Sequence, residues 1–261
     1  MIYQTGAGTS ISRLGWADLG MATLNDMVAN AAMIAGLNPS VPVIADADTG
    51  YGGPIMVSRT VTQYARAGVA GLHIEDQVQQ KRCGHLMGKQ LVDRETYYAR
   101  LRAAVKTRTD IGSEMLIIAR TDARQTYGFD EAVARLQEAV KIGVDVVFFE
   151  AMTSEEEAAK VCEIFKGTPA FLNLVPGGTT PNISVEQAQK LGFRIMIHPV
   201  ICFKPIMDAV SKEFETLKKT GLCSETNAAA GVKDAFNLAG LQECIELDAA
   251  AGGGAYKGVA E

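Results

Sequence analysis

Seven short apolar runs, each closed by polar residues, constrain the fold of this chain more than any other feature. They are "MIYQ" (1–4), "VPVIADAD" (41–48), "GLHIED" (71–76), "MLIIARTD" (115–122), "VVFFEA" (146–151), "AFLNLV" (170–175) and "RIMIHPV" (194–200). Each is continuous rather than alternating, the pattern of parallel strands buried on both faces. Between them lie amphipathic stretches with acidic first turns, such as "FDEAVARLQEAVKIG" (129–143) and "TSEEEAAKVCEIFKG" (153–167). These read as helices, with Gly143 and Gly167 placed where a left-handed C-terminal residue is wanted.

Alternating strands and helices predict a parallel sheet with right-handed crossovers. A closed (β/α)8 barrel and an open doubly wound sheet both satisfy that pattern, and the polar residues decide between them. Asp46, Asp48, Glu75, Asp76, Arg120, Asp122, Glu150 and Asn173 stand at the C-terminal ends of five different strands. Barrels gather reactive groups from many strands at that face. An open sheet concentrates them at one switch point, and no GxGxxG follows the first run. The expected fold class is therefore α/β, a TIM-type barrel with seven recognisable strand units where eight are usual. A barrel domain over 1–221 is expected, followed by a helical extension with a flexible tail over 222–261. There "AGVKDAFNLAGLQECIELDAAA" supplies helices and "GGGAYKGVAE" a frayed end.

The totals remove several function classes. A net charge of −5 is opposite to the clustered excess of Lys and Arg that nucleic acid demands, so no nucleic-acid partner is expected. No apolar stretch reaches the ~18 residues of a membrane span, and "MIYQTGAGTS" lacks the features of a secretory signal. Five cysteines, odd in number and without a CxxC pair, argue against a disulfide framework. A reducing compartment follows, with the cytoplasm as the expected location.

"DADTGYGG" (46–53) sets Asp46 and Asp48 on one side of a strand end, before a glycine-rich turn. Such a pair suits a hard divalent cation, with Glu75 as a third oxygen ligand, direct or through water. Turn formation by Asp48-Thr49-Gly50 is the competing structural role, and "HIED" and "ARTD" on neighbouring strand ends tip the balance to the metal. "EDQVQQKRCGHLMGKQ" (75–90) has no apolar period and reads as an exposed polar loop carrying Cys83 beside Lys81, Arg82 and His85. Nearby cations would lower the thiol pKa and fit it to exchange a proton near neutral pH, and Gly84 and Gly88 would let the loop fold over a ligand. Arg120 could fork a carboxylate, while Glu150, closing an apolar strand, needs a partner or a shifted pKa. Taken singly, an internal salt bridge is the simpler role for each. His73 reads as a satisfied core histidine.

In order along the chain, "DADTGYGG", "GLHIEDQVQQKRCGH", "ARTDA" and "GFRIMIHPV" resemble the isocitrate lyase/phosphoenolpyruvate mutase superfamily, and the likeness runs from "YQTGAGTS" to "GLQECIELDAAAGG". "KRCGH" resembles the signature of its lyases, and the fungal-type 2,3-dimethylmalate lyases and oxaloacetate acetylhydrolases are the nearest branch. The resemblance implies a Mg²⁺-dependent, Mn²⁺-tolerant enzyme acting on small dicarboxylates. By it, Asp46 and Asp48 belong to the metal site with Glu75 in support. Thr5, Gly6 and Ala7 bind the substrate carboxylate, and Arg120, Glu150 and Asn173 contact substrate. Cys83, Gly84 and His85 lie on a gating loop, with Cys83 the acid for the departing fragment. Lys204 and Lys233 stand where relatives have arginine, keeping the charge but not the fork.

The likeness further implies a βα unit before "YQTGAG" that is not seen here, and a homotetramer exchanging its last barrel helix (about Cys202 to Gly221, or the helices after it). Pro199 replaces the serine of the hydrolases and has no hydroxyl to offer. Cleavage of (2R,3S)-2,3-dimethylmalate is thus the expected reaction. Oxaloacetate hydrolysis, (methyl)isocitrate cleavage and a truncated non-catalytic paralogue are the alternatives.

Overall fold

A computed structural model describes residues 1–229, 231–256, 258 and 259. Ala230 in the expected extension, and Lys257, Ala260 and Glu261 in the expected frayed end, lie outside the described residues. Seven strands are present: β1 (Ile2–Gln4), β2 (Val43–Asp46), β3 (Gly71–Glu75), β4 (Leu116–Thr121), β5 (Val146–Phe149), β6 (Ala170–Asn173) and β7 (Ile195–Ile197). Each lies within one of the seven apolar runs. They pair in chain order, β1-β2-β3-β4-β5-β6-β7, and every pairing is parallel. A doubly wound sheet reverses its order at a switch point, and this one never does. The sheet instead curls on itself until Tyr3 of β1 meets Phe171 of β6, ring centroids 6.3 Å apart. The result is a nearly closed α/β barrel, with β1 and β7 as its edges.

The strands are apolar throughout because both of their faces are covered. Ile44, Ile118, Val146, Phe148, Phe171 and Ile197 point inward and form the barrel's own core. Their neighbours Ala45, Leu72, Ile74, Ile117, Ala119, Val147 and Leu172 point outward into a second cluster beneath the helices. The helices of the barrel unit are α1 (Gly6–Thr9), α2 (Leu24–Leu37), α3 (Pro54–Arg66), α4 (Arg94–Asp110), α5 (Ala123–Tyr127), α6 (Phe129–Ile142), α7 (Glu155–Ile164) and α8 (Val185–Leu191). Side chains start several of them: Thr23 and Asp26 form a capping box on α2, Asp93 caps α4 and Ser154 caps α7. Helix α6 ends at Gly143 with φ +106°, as its sequence requires. Helix α7 does not end as expected. It stops at Ile164, and Gly167 takes no left-handed conformation, because buried Phe165 anchors the end and Thr168 N closes a turn on Phe165 O at 2.7 Å.

The chain divides into two compact units, Met1–Ile201 and Cys202–Glu261. The division falls before the expected 221/222 boundary, since "HPVICFKPIM" carries no change of composition to mark it. The second unit holds α9 (Phe203–Thr220), α10 (Glu225–Ala229), α11 (Val232–Leu238) and α12 (Leu241–Ala250). Ile206, Met207, Val210, Phe214 and Leu217 make an exposed apolar stripe along α9. Among the described residues, no helix is long and apolar enough to cross a membrane.

Candidate active site

The inward register of the strands builds the site. Asp46 pairs with His73, Glu75 with Arg120, and Asn173 with Ile197, and the side chains of Asp46, Glu75, Arg120 and Asn173 enter the barrel beyond the apolar residues that precede them on their strands. Glu150, just past β5, follows Phe148 inward by the same alternation. Two left-handed backbones flank the site, Asp48 with φ +47° and Ala151 with φ +61°. Neither is glycine, and such strain persists only where surrounding structure over-determines it.

Asp46 is the fixed point on one side. Its Oδ2 accepts the Gly6 N–H at 3.0 Å and its Oδ1 the Asp48 N–H at 2.9 Å. A Cβ at position 6 would stand 2.5 Å from Asp46 Oδ2, so only glycine brings the β1 loop this close. Burial pushes the Asp46 carboxyl up, but His73, which is charged at the low pH where Asp46 titrates, with Lys81, Arg120 and the Asp48 N–H, outweighs that and brings it to about 2. His73 lies 3.6 Å away; burial takes its pKa down to about 4, so at neutral pH it brings no charge. Its Nε2 is 2.7 Å from Tyr3 Oη, but its Nδ1 is buried without a hydrogen bond, so the core histidine that was expected to be satisfied is satisfied at one nitrogen only.

Asp48 is set differently. Its Oδ1 meets Lys81 Nζ at 2.6 Å, and the same ammonium meets Asp18 at 2.6 Å. Burial, with the nearby carboxylates of Asp46 and Asp18, pushes the Asp48 carboxyl up to about 7 in spite of Lys81. Glu75 turns toward Arg120, whose Nε is 3.2 Å away. That N–H is aimed at Asp122, so both Glu75 oxygens are buried without a hydrogen bond. Burial drives the Glu75 pKa well up.

On the other side Arg120 is gripped from within. Nε donates to Asp122 Oδ2 at 3.1 Å and Nη2 to Asp122 Oδ1 at 3.2 Å, with Glu150 Oε2 also 3.2 Å from Nη2. The fork imagined for a ligand is filled by Asp122, which leaves Nη1. Burial raises the Glu150 pKa, but Arg120 and His85 more than reverse this and keep it ionised. Asn173 Nδ2 donates to Glu150 Oε2 at 3.1 Å, and His85 Nε2 lies 3.4 Å from Oε1.

Residues 75–90 close over these groups. Cys83 is half-buried, not exposed, and its N–H donates to Asp18 O at 3.2 Å. Its pKa is raised, against the expectation of a lowered one. Burial dominates, Asp18 adds to it, and Arg120 and Lys81 do not overcome it. Lys81 is engaged by Asp48 and Asp18. A Cβ on Gly84 would run into the Arg120 guanidinium and stand 3.0 Å from Glu150 Oε2, so the loop backbone rests directly on the site.

The space beneath is a cavity of about 50 Å³. It is bounded by Thr5, Ala7, Asp46, Cys83, Gly84, His85, Arg120, Glu150, Asn173 and Pro199, so ten of the expected site residues converge. Gly6 reaches it through Asp46, whereas Asp48 and Glu75 stand behind its wall, Asp48 in contact with Lys81. A larger hollow of about 640 Å³ beside Leu174 and His198 holds none of these acids. Lys204 pairs instead with Asp208 on exposed α9, 2.7 Å apart.

The family model for phosphoenolpyruvate phosphomutase matches residues 1–218. The chain belongs to that family. It is 39% identical over 254 residues to the 2,3-dimethylmalate lyase of Eubacterium barkeri, covering 95% of this chain and 84% of the relative. A solved 2,3-dimethylmalate lyase, described as a PEP mutase/isocitrate lyase superfamily member, superposes with a TM-score of 0.93 at 53% identity, covering 98% of this chain and 85% of the other. An oxaloacetate acetylhydrolase bound to the inhibitor 3,3-difluorooxalacetate gives 0.91 at 47% identity, covering 97% and 85%. The barrel is thus that of a superfamily that contains carbon–carbon lyases.

Several members of the site were missed from sequence. Tyr3, Asp18, Val175 and Val200 line the cavity, and Lys81 is a partner of two acids rather than a neighbour of the thiol. Asp18 lies in "GWADLG", a loop with no strand to place it. Lys81 had a signal, since it sits in the "KRCGH" run.

Proposed function

We propose that this protein is a divalent-metal-dependent carbon–carbon lyase that cleaves a small 2-hydroxy dicarboxylate, (2R,3S)-2,3-dimethylmalate, to pyruvate and propanoate. One observation carries the reading: Cys83, on a loop seated over the barrel, shares a small cavity with Asp46, Arg120, Glu150 and Asn173.

The donor set fits a hard cation. Asp46 faces the cavity as an ionised carboxylate, and the two Glu75 oxygens are buried without a hydrogen bond, one of them 3.2 Å from Arg120 Nε. Among the described residues no three His, Cys, Asp or Glu side chains converge on one point. Mg²⁺, which keeps several waters and takes few carboxylates, is the ion we propose, with Mn²⁺ as a substitute. Asp46 would hold the ion, with Asp48 and Glu75 as further oxygen donors, direct or through water. When bound, the ion acts as a Lewis acid on the oxygen at C2 of the substrate.

The chain's own groups do the rest. Gly6 N–H already turns its loop onto Asp46, and Thr5 and Ala7 bring that loop to a substrate carboxylate. Arg120, braced by Asp122, offers Nη1 and fixed positive charge to the developing anion. Glu150, held ionised and oriented by Asn173 and His85, takes the proton of the substrate's C2 hydroxyl as the bond to the departing carbon breaks and C2 becomes a carbonyl. Cys83 keeps its proton at neutral pH because it is buried, and gives it to the carbon of the departing fragment. Pro199 supplies an apolar wall where a hydroxyl would favour a hydrated 2-oxo acid, which ranks the lyase above oxaloacetate hydrolysis. The stripe on α9 supports a homotetramer in which this helix, or those after it, is exchanged between copies.

The test is a panel of 2-hydroxy and 2-oxo diacids with Mg²⁺, run on the fraction that elutes as a tetramer, with pyruvate and oxalate followed separately. Pyruvate from dimethylmalate well above oxalate from oxaloacetate is expected, and the reverse order would overturn the substrate. A folded tetramer that releases no 2-oxo acid would make the chain a non-catalytic subunit.

A further inference from the structure

Lys89 lies at the far end of the loop, and its side chain and that of Asp122 are both 0% exposed. Its ammonium donates to Gly84 O at 2.5 Å and to Asp122 Oδ1 at 2.8 Å. Gly84 is the residue after Cys83. Asp122 is the carboxylate that grips both Nε and Nη2 of Arg120. One buried cation therefore joins the backbone beside the thiol to the acid that sets the arginine, without itself lining the cavity.

We propose that Lys89 is a positioning residue, a latch that seats the Cys83–Gly84 segment on the barrel and registers it against Arg120 through Asp122. A cavity of about 50 Å³ has room for a few waters rather than a dicarboxylate. The segment must lift for ligand to enter, and lifting breaks the bond from Lys89 to Gly84 O. That bond is the contact of the ammonium that lifting removes, because Lys89 adjoins the pinned base of the loop, where Val78 N–H donates to Gln90 O at 2.9 Å and Gln77 bridges Leu91, and so stays with Asp122. Closure restores it and returns Cys83 to the same place over Arg120 each time. A lysine that served only to neutralise Asp122 would not need the loop carbonyl. The proposal rests on reading residues 75–90 as a closing loop, but its test uses no substrate, so the lyase reading can fail without deciding it.

The experiment is alkylation of the substrate-free protein by iodoacetamide, followed at each cysteine by peptide mass spectrometry. Cys202, Cys223 and Cys244, all exposed, are internal references. In Lys89→Met, Cys83 should react roughly 10- to 100-fold faster, the effect of losing one hydrogen bond to a charged group, with the references unchanged. Losing a cation cannot raise the thiolate fraction, so acceleration reports access. Asp122→Asn should also accelerate Cys83, and the double variant should react no faster than the faster single one, because both changes cut the same tie. A change below twofold in folded Lys89→Met, or rates that multiply in the double variant, would overturn the latch. So would variants in which buried Cys162 also reacts at the reference rate, since Lys89 and Asp122 would then serve folding alone.

Discussion

Along β2 the inward side chains run Ile44 then Asp46; along β3, His73 then Glu75; along β4, Ile118 then Arg120; along β6, Phe171 then Asn173. The first of each pair belongs to a closely packed floor, apolar except for His73, whose Nδ1 is buried without a hydrogen bond. Phe148 stacks on Phe171 with centroids 4.6 Å apart, and His73 meets the edge of Phe148 at 5.4 Å. The second of each pair belongs to a rim that is not complete. Glu75 has no hydrogen bond, Asn173 Oδ1 has none, and Asp46 and Asp48 are driven apart in pKa to about 2 and about 7. Backbone and register are shared, so the difference comes from the side chains alone. The floor stabilises the barrel, while the rim holds charge in readiness for something else.

If that division is sound, substitutions on the two layers should separate activity from stability. The largest effect is expected from Cys83→Ser, which touches only what closes over the rim. A serine hydroxyl is a far weaker acid, so turnover should fall by roughly 10²–10⁴-fold. Thermal stability should move little, because the site is half-buried and the change small. Oxalate affinity in the presence of Mg²⁺, measured by calorimetry, should stay nearly unaltered. Unchanged turnover would remove the thiol from the reaction, and a collapse of stability would show that rim and floor are not separate.

Phe148→Ala is the converse. Removing a fully buried ring from the floor should cost about 3–5 kcal/mol, lowering the melting temperature by on the order of 10 °C. Turnover per folded molecule should remain within about twofold at a temperature well below the transition. A loss of turnover comparable to that of Cys83→Ser would mean the floor sets the geometry of the rim directly, through the Arg120 guanidinium that lies 5.1 Å from the Phe148 centroid.

The same contrast explains what could be read from sequence. Strands were legible because burial on both faces leaves continuous apolar runs, and rim residues because polar groups at the ends of such runs stand out. Pairings across the barrel left no such trace. Lys81 finds Asp48 and Asp18 from another part of the chain, and no periodicity announces that. Lys89 reads as a solvated charge in a polar loop, yet it is buried because two acceptors meet it there. The thiol shift was taken with the wrong sign for the same reason. Adjacent cations in sequence were counted as free charge, whereas Lys81 is engaged elsewhere and burial decides. The early end of α7 comes from local packing that composition does not record.

Tyr3→Phe sharpens the comparison with the smallest expected effect, because Tyr3 spans the seam. Its ring sits in the floor, stacked against His73 at 5.9 Å and edge-on to Phe171, while its hydroxyl meets His73 Nε2 at 2.7 Å. His73 in turn lies 3.6 Å from Asp46. Removing the hydroxyl leaves apolar packing intact and strands a buried ring nitrogen, at a cost of about 1–3 kcal/mol. If floor and rim are independent, that loss should show in chemical denaturation, with turnover and Mg²⁺ affinity changed by less than about threefold. If His73 is what holds Asp46 in place, Mg²⁺ affinity should instead fall more than stability does, since a carboxylate freed to turn loses its grip on an ion before the barrel loses its fold. The ratio of the two effects, rather than either alone, tells whether one layer supports the other or merely lies beneath it.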